Sequence, residues 1–197
     1  PAVSDVRAGE RVAEFLSRGD LAELSRRGTA SPDHVIRTKG RMLVLSAEDA
    51  TDPARIEARV RAYADDYRAM FERQNARVGG GKVMLEPHPC VVWLEGAGLV
   101  GIGKDARAAS AAADIAEQTI EVMTLGEAAG GYHPNGEDDL FDCEYWSLEQ
   151  AKLKKAADRP FTGRVVAVTG GAGAIGRAVA EAFAAQGAAV ALIDRDG

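Results

Sequence analysis

Apolar positions return every three or four residues between 53 and 71, where Ile56, Val60, Tyr63, Tyr67, Met70 and Phe71 share one face. With Thr51 or Asp52 as cap and Pro53 in the first turn, the spacing predicts a long helix whose stripe is core. Upstream, RMLVLS (41–46) reads as a short strand. Downstream, VVWLE and LVGIG read as a strand pair joined around Gly96 and Gly98, feeding the alanine-rich helix KDARAASAAADIAEQTIEVM. Small residues along that helix allow close packing on a sheet. After the turn GGYHPNG, Leu140, Phe141, Tyr145, Leu148 and Leu153, with Trp146 beside them, predict a helix over 137–155. Residues 1–30 alternate mixed-charge helical patterns with Gly19 and Gly28 and read as a helical lead-in without visible chemistry.

A different pattern begins after ADRPFTGR, whose proline, charge and glycine mark a linker. Val165 to Val168 form a continuous apolar run, as a buried parallel strand requires. Gly171, Gly173 and Gly176 then satisfy G-x-G-x-x-G where strand gives way to helix. The expected tasks are a tight turn at Gly171, close backbone approach to a pyrophosphate at Gly173, and helix-on-strand packing at Gly176. Gly187 ends the helix, AVALI makes a second strand, and Asp194 follows at its end, where a carboxylate accepts hydrogen bonds from an adenosine ribose. That carboxylate favours NAD over NADP, and Arg195 beside it offsets part of the repulsion of a 2′-phosphate. The expected cofactor-binding set is Thr169, Gly170, Gly171, Gly173, Ala174, Ile175, Gly176, Asp194 and Arg195. A glycine turn that serves packing alone is the competing reading.

Composition narrows the function classes. The 197 residues are 46% hydrophobic and 27% charged, ordinary for a globular chain, and the net charge of −6 argues against a nucleic-acid or anionic-membrane surface. No apolar run reaches the roughly 18 residues of a membrane span, and the first residues lack a secretory pattern, so a cytoplasmic protein is expected. Cys90 and Cys143 stand apart and read as two buried thiols. His34, His88 and His133 lack the short-range pairing of zinc ligands, so no metal site is expected. His34 with Arg37 and Lys39 reads either as a phosphate-binding turn or, more simply, as a solvated basic one.

TGGAGAIG resembles the glycine turn of short-chain dehydrogenases through Thr169, Gly170 and Gly176, with Ala174 where that family usually has its middle glycine. TASPDHVIRTK, EGAGLVGIGKD and FDCEYWSLEQAKLKK, followed by that turn, resemble bifunctional proteins joining a class II aldolase domain to a short-chain dehydrogenase, of the rhamnulose-1-phosphate aldolase/lactaldehyde dehydrogenase type. The resemblance covers nearly the whole chain. It implies an α/β architecture: an aldolase-like region over 31–136, a helical connector and linker over 137–163, and from 164 to 197 the opening β-α-β of a truncated Rossmann domain. It further implies an internal segment of a parent protein that oxidises a small aldehyde or alcohol with NAD in sugar (rhamnose) catabolism.

The resemblance also marks gaps. The dehydrogenase Ser, Tyr-x-x-x-Lys and Asn would lie beyond Gly197, and Ala97 stands where the aldolase turn carries a metal-binding histidine, so no catalytic residue is expected here. The first nucleotide strand is expected to have a vacant edge, covered by the upstream region or another chain, with a homo-oligomer or heterologous pairing as the assembly. The alternative from another class is a noncatalytic scaffold or oligomerisation module presenting the helices at 53–77 and 137–155.

Overall fold

The computed structural model describes residues 2–148 and 159–195. The predicted helical positions 149–155, Leu153 among them, and the start of the linker lie outside the described residues.

Four strands form the main sheet: β1 (Val3–Arg7), β2 (Leu43–Leu45), β3 (Val91–Leu94) and β4 (Gly98–Gly103), in the order β1-β4-β3-β2. β3 and β4 form the expected antiparallel hairpin, with Val92 opposite Val100, while β2 runs parallel to β3 with Leu43 opposite Val92. β1 is a strand where the sequence suggests a helical lead-in. It pairs antiparallel with β4, Val3 opposite Gly103, so the first residues belong to the sheet. Ser4, Asp5 and Arg7 hide the strand from a hydrophobicity reading. As an edge strand it tolerates charge, and Arg7 pairs with Asp5 and with Asp114 of a helix on the sheet.

Alternation along β3 and β4 divides the core into two layers. Val91, Trp93 and Leu99 face one side, packing with Val12, Phe15 and Leu16 of α1 (Glu10–Leu16), Leu21 and Leu24 of α2 (Leu21–Leu24), and Ala112, Ala113, Ala116, Ile120 and Met123 of the alanine-rich helix. Val92, Leu94, Val100 and Ile102 face the other side, against Ile56, Val60 and Tyr63. Between β1 and β2 the chain also makes a one-turn 3-10 helix (Pro32–His34) and α3 (Val35–Thr38); α4 (Ala47–Ala50) follows β2. The long helix is α5 (Pro53–Arg77), capped by Asp52, whose carboxylate accepts from the Ala54 N–H.

The alanine-rich helix, α6 (Ala106–Ala128), is capped by Asp105 and lies closely on β4. A Cβ added at Gly101 would stand 2.3 Å from the Ala109 carbonyl oxygen, and one at Gly103 2.4 Å from the Ala109 nitrogen. Glycine in the strand and alanine in the helix are thus one device, letting the two backbones meet.

α7 (Glu137–Glu144) is shorter than the predicted helix. Leu140, Phe141 and Tyr145 are buried, the last two with Phe71 of α5, but Leu148 and Trp146 are exposed. Tyr145 caps the helix, its hydroxyl 2.7 Å from that of Tyr67 and accepting the Leu85 N–H at 3.2 Å, and helical conformation resumes at residues 147–148. Among the described residues no helix is long and apolar enough to cross a membrane.

The C-terminal unit is β5 (Val165–Thr169), α8 (Ala174–Ala185) and β6 (Ala189–Ile193). β5 and β6 pair in parallel with Val165 opposite Ala189 and form a separate two-stranded sheet. Among the described residues no other strand pairs with β5, and the expected cover from the upstream strands is not found.

Candidate functional site

The glycine turn brings the nine expected cofactor-binding positions into one connection between β5, α8 and the end of β6, with duties shared differently from the sequence expectation. Gly170, at φ 70°, takes the left-handed turn assigned to Gly171. Gly171 instead clears β6: a Cβ there would meet the Leu192 Cβ at 3.0 Å. Gly176 has the strictest requirement, since a Cβ would lie 2.0 Å from the Gly170 carbonyl oxygen. Any side chain at 176 opens the turn.

Gly173 is the N-cap of α8 and supplies no side-chain cap, so the first-turn N–H groups of a 12-residue helix point out of the turn without an internal partner. Asp194 reaches back to the loop, accepting from the Ala172 N–H at 2.8 Å and from the Arg195 N–H at 2.7 Å. Thr169, Ala174, Ile175, Asp194 and Arg195 are exposed around this opening. A glycine-rich turn beside an uncapped helix start is a geometry able to receive an anion.

Elsewhere the sequence candidates stay apart. Ala97 occupies the exposed β3–β4 turn, where Gly96 has φ 67°. His88 is exposed and pairs with Glu86, while the buried Nδ1 of His34 has no hydrogen-bond partner among the described residues. No group of three His, Cys, Asp or Glu side chains able to hold a metal occurs among the described residues. Cys90 and Cys143 form no disulfide and are half-buried rather than fully buried. Burial pushes the Cys90 thiol up, away from the thiolate.

A second candidate site was missed by sequence reasoning. Lys39 is 5% exposed, contrary to either reading of its turn as a solvent-facing basic surface. Its Nζ lies 3.8 Å from Glu144 Oε1 and 3.8 Å from the centre of the Tyr67 ring. The Tyr67 hydroxyl donates to the same Glu144 oxygen at 3.0 Å and meets the Tyr145 hydroxyl. Burial raises the Glu144 carboxyl above its ordinary range, against the opposing pull of Lys39 and of the Tyr67 hydrogen bond. Burial likewise raises both tyrosines.

Lys39 is the one non-glycine residue at positive φ among the described residues, at φ 64° and ψ 173°. That region is essentially restricted to glycine and costs on the order of 1–3 kcal/mol. The buried ion pair and its tyrosines hold the chain there. Above the cluster opens a cavity of about 690 Å³, whose floor includes Tyr67 and Glu144 and whose mouth carries Arg26, Arg41 and Arg73. The one sequence cue was Tyr63 and Tyr67, polar-tipped residues on a core stripe.

Residues 1–153 match the family model for the second domain of class II aldolases. An uncharacterized oxidoreductase, YuxG, of Bacillus subtilis (strain 168) is 31% identical over 189 residues. The match takes in 93% of this chain, a share too large to leave the C-terminal unit outside it, but only 27% of that relative's length. The chain belongs to the class II aldolase second-domain family.

Proposed function

We propose that the chain joins an aldolase-type second domain to the opening of a short-chain-dehydrogenase unit, and that residues 164–195 bind the adenosine and pyrophosphate of NAD. The observation carrying this reading is the Gly170–Gly176 contact beside the uncapped start of α8, with Asp194 tied to the same loop. The oxidoreductase name of the Bacillus subtilis relative supports it. NAD would supply hydride acceptance. This chain's residues would do only the binding: Gly173 and the first turn of α8 for the phosphates, Asp194 for the ribose, with NAD preferred over NADP. The whole protein would oxidise a small alcohol or aldehyde from sugar breakdown, in the cytoplasm and as an oligomer, with the proton-transfer residues supplied outside these 197.

The test is NAD binding by the full-length parent, followed by calorimetry. Gly176→Val removes saturable binding, and Asp194→Ser narrows the preference for NAD over NADP. Unchanged NAD affinity in the Gly176→Val protein contradicts the assignment.

A further inference from the structure

The chain contains two asparagines, Asn75 and Asn135, and the structure places them in opposite surroundings. Asn75 is half-buried near the end of α5. Its Oδ1 accepts the Lys82 N–H at 3.1 Å and its carbonyl accepts the Gly80 N–H at 2.7 Å. Ala76 follows it inside the helix, where the backbone N–H is committed to the preceding turn. Asn135 is exposed, in a short stretch between two anchors. Upstream, Tyr132 is buried and its N–H donates to Glu127 at 2.8 Å; downstream, Glu137 receives Arg73 at 2.8 Å.

Among the described residues the Asn135 amide makes no hydrogen bond, and neither does the Gly136 N–H that follows it. A Cβ added at Gly136 would meet nothing within 4 Å, so the peptide between them has room to turn. Asparagine before glycine is chemically labile for a geometric reason. The next backbone nitrogen reaches the side-chain carbonyl carbon in a five-membered ring, and glycine lacks the Cβ that obstructs the approach. In a helix that nitrogen is held in its own hydrogen bond and kept from the side chain.

We propose that Asn135 is a self-modification site. The Gly136 nitrogen forms a bond to the Asn135 Cγ, the Cγ–Nδ2 bond breaks, and the Gly136 N–H proton leaves with the ammonia. Water then opens the cyclic imide at either carbonyl, giving aspartate or isoaspartate, with no oxidant or second enzyme required. The consequence lies at the cavity between α5 and α7, which Asn135 lines with Pro134, Gly136 and Glu137. Conversion turns a neutral lining residue into a carboxylate. Isoaspartate also lengthens the backbone by a methylene immediately ahead of Gly136, the N-cap of α7, whose carbonyl accepts the Leu140 N–H at 3.1 Å.

Peptide mapping by mass spectrometry, after incubation of the whole folded chain at mildly alkaline pH, tests this. The peptide holding Asn135 gains the mass difference between a hydroxyl and an amino group and separates into aspartate and isoaspartate forms. Asn75 converts slower by about tenfold or more, because its helix must open first. The rate at Asn135 rises with pH, since the attacking N–H loses its proton, and hydroxylamine, which cleaves cyclic imides, cuts the folded chain between residues 135 and 136. Gly136→Ser slows conversion several-fold and keeps the far-UV circular dichroism, because φ −68° and ψ 168° at Gly136 nearly repeat the backbone of Ser46, the N-cap of α4, at φ −68° and ψ 165°. Conversion at Asn135 only in urea, equal rates at the two asparagines, or an unchanged rate in the Gly136→Ser protein overturns the proposal.

Discussion

The body over 2–145 and the unit over 164–195 use similar parts and reach different ends. Both lay helices on apolar strands. In the body, Trp93, Leu99, Leu16 and Leu24 are wholly buried, because helices cover the sheet on both faces. In the C-terminal unit only Val168 and Ala180 reach burial among the described hydrophobic residues, while Val165, Ile175, Leu192 and Ile193 are 65, 83, 58 and 51% exposed. The strands VVAVT and AVALI are apolar on both faces, a composition suited to a sheet covered twice. Among the described residues, one helix covers one face. The body closes its own core, and the unit carries a composition that one helix does not satisfy.

The largest effect expected from that difference comes from paired truncations. Trp93→Ala removes a fully buried indole that meets Phe15 edge to face at 5.5 Å, and costs about 4 kcal/mol of chain stability. Leu192→Ala, at an exposed position, leaves the main unfolding transition within about 0.5 kcal/mol. Urea melts of the two variants make the measurement. Equal losses would mean that the unit shares the core of the body.

Next comes the buried pair that closes the body beneath the cavity. Lys39→Met leaves Glu144 buried without its cation and destabilises by about 3 kcal/mol, while Lys39→Met with Glu144→Gln recovers a large part of that loss. A double-mutant cycle without coupling would remove the pair from the forces holding Lys39 at its positive φ.

A smaller effect follows from pH. The folded Glu144 carboxyl is raised above the unfolded value of 4.5, so between that value and its folded one the native state holds a proton the unfolded state has released. Its contribution is therefore neutral in acid and falls as pH rises through that window. The stability difference between wild type and Glu144→Gln shifts in favour of the variant as pH rises from 4.5. A shift in the other direction would show that Lys39 outweighs burial.

The parts of the fold legible in sequence were those decided by local physics. Asp52–Pro53 and Asp105 are caps whose side chains bond within three residues, and the β3–β4 hairpin is written in alternation around Gly96. The β-α-β of the C-terminal unit was legible because its tightest glycine contact is local, Gly176 against Gly170. β1 was not, because an edge strand with one buried valine and an Arg7 that pairs across to Asp114 has no local signature. Lys39 and Glu144 were not, because each is buried by partners distant in sequence, Tyr67 and one another. A lysine before glycine reads as a solvated turn until Tyr67 and Glu144 are placed against it.

Amide hydrogen exchange on the intact chain tests the contrast between the two regions most directly. The amides of Val91–Leu94 and Gly98–Gly103 should exchange only through global unfolding, whereas those of Val165–Thr169 and Ala189–Ile193 should exchange through local opening at far lower free energy. Equal protection of the two sheets would contradict the claim that the body alone closes its core.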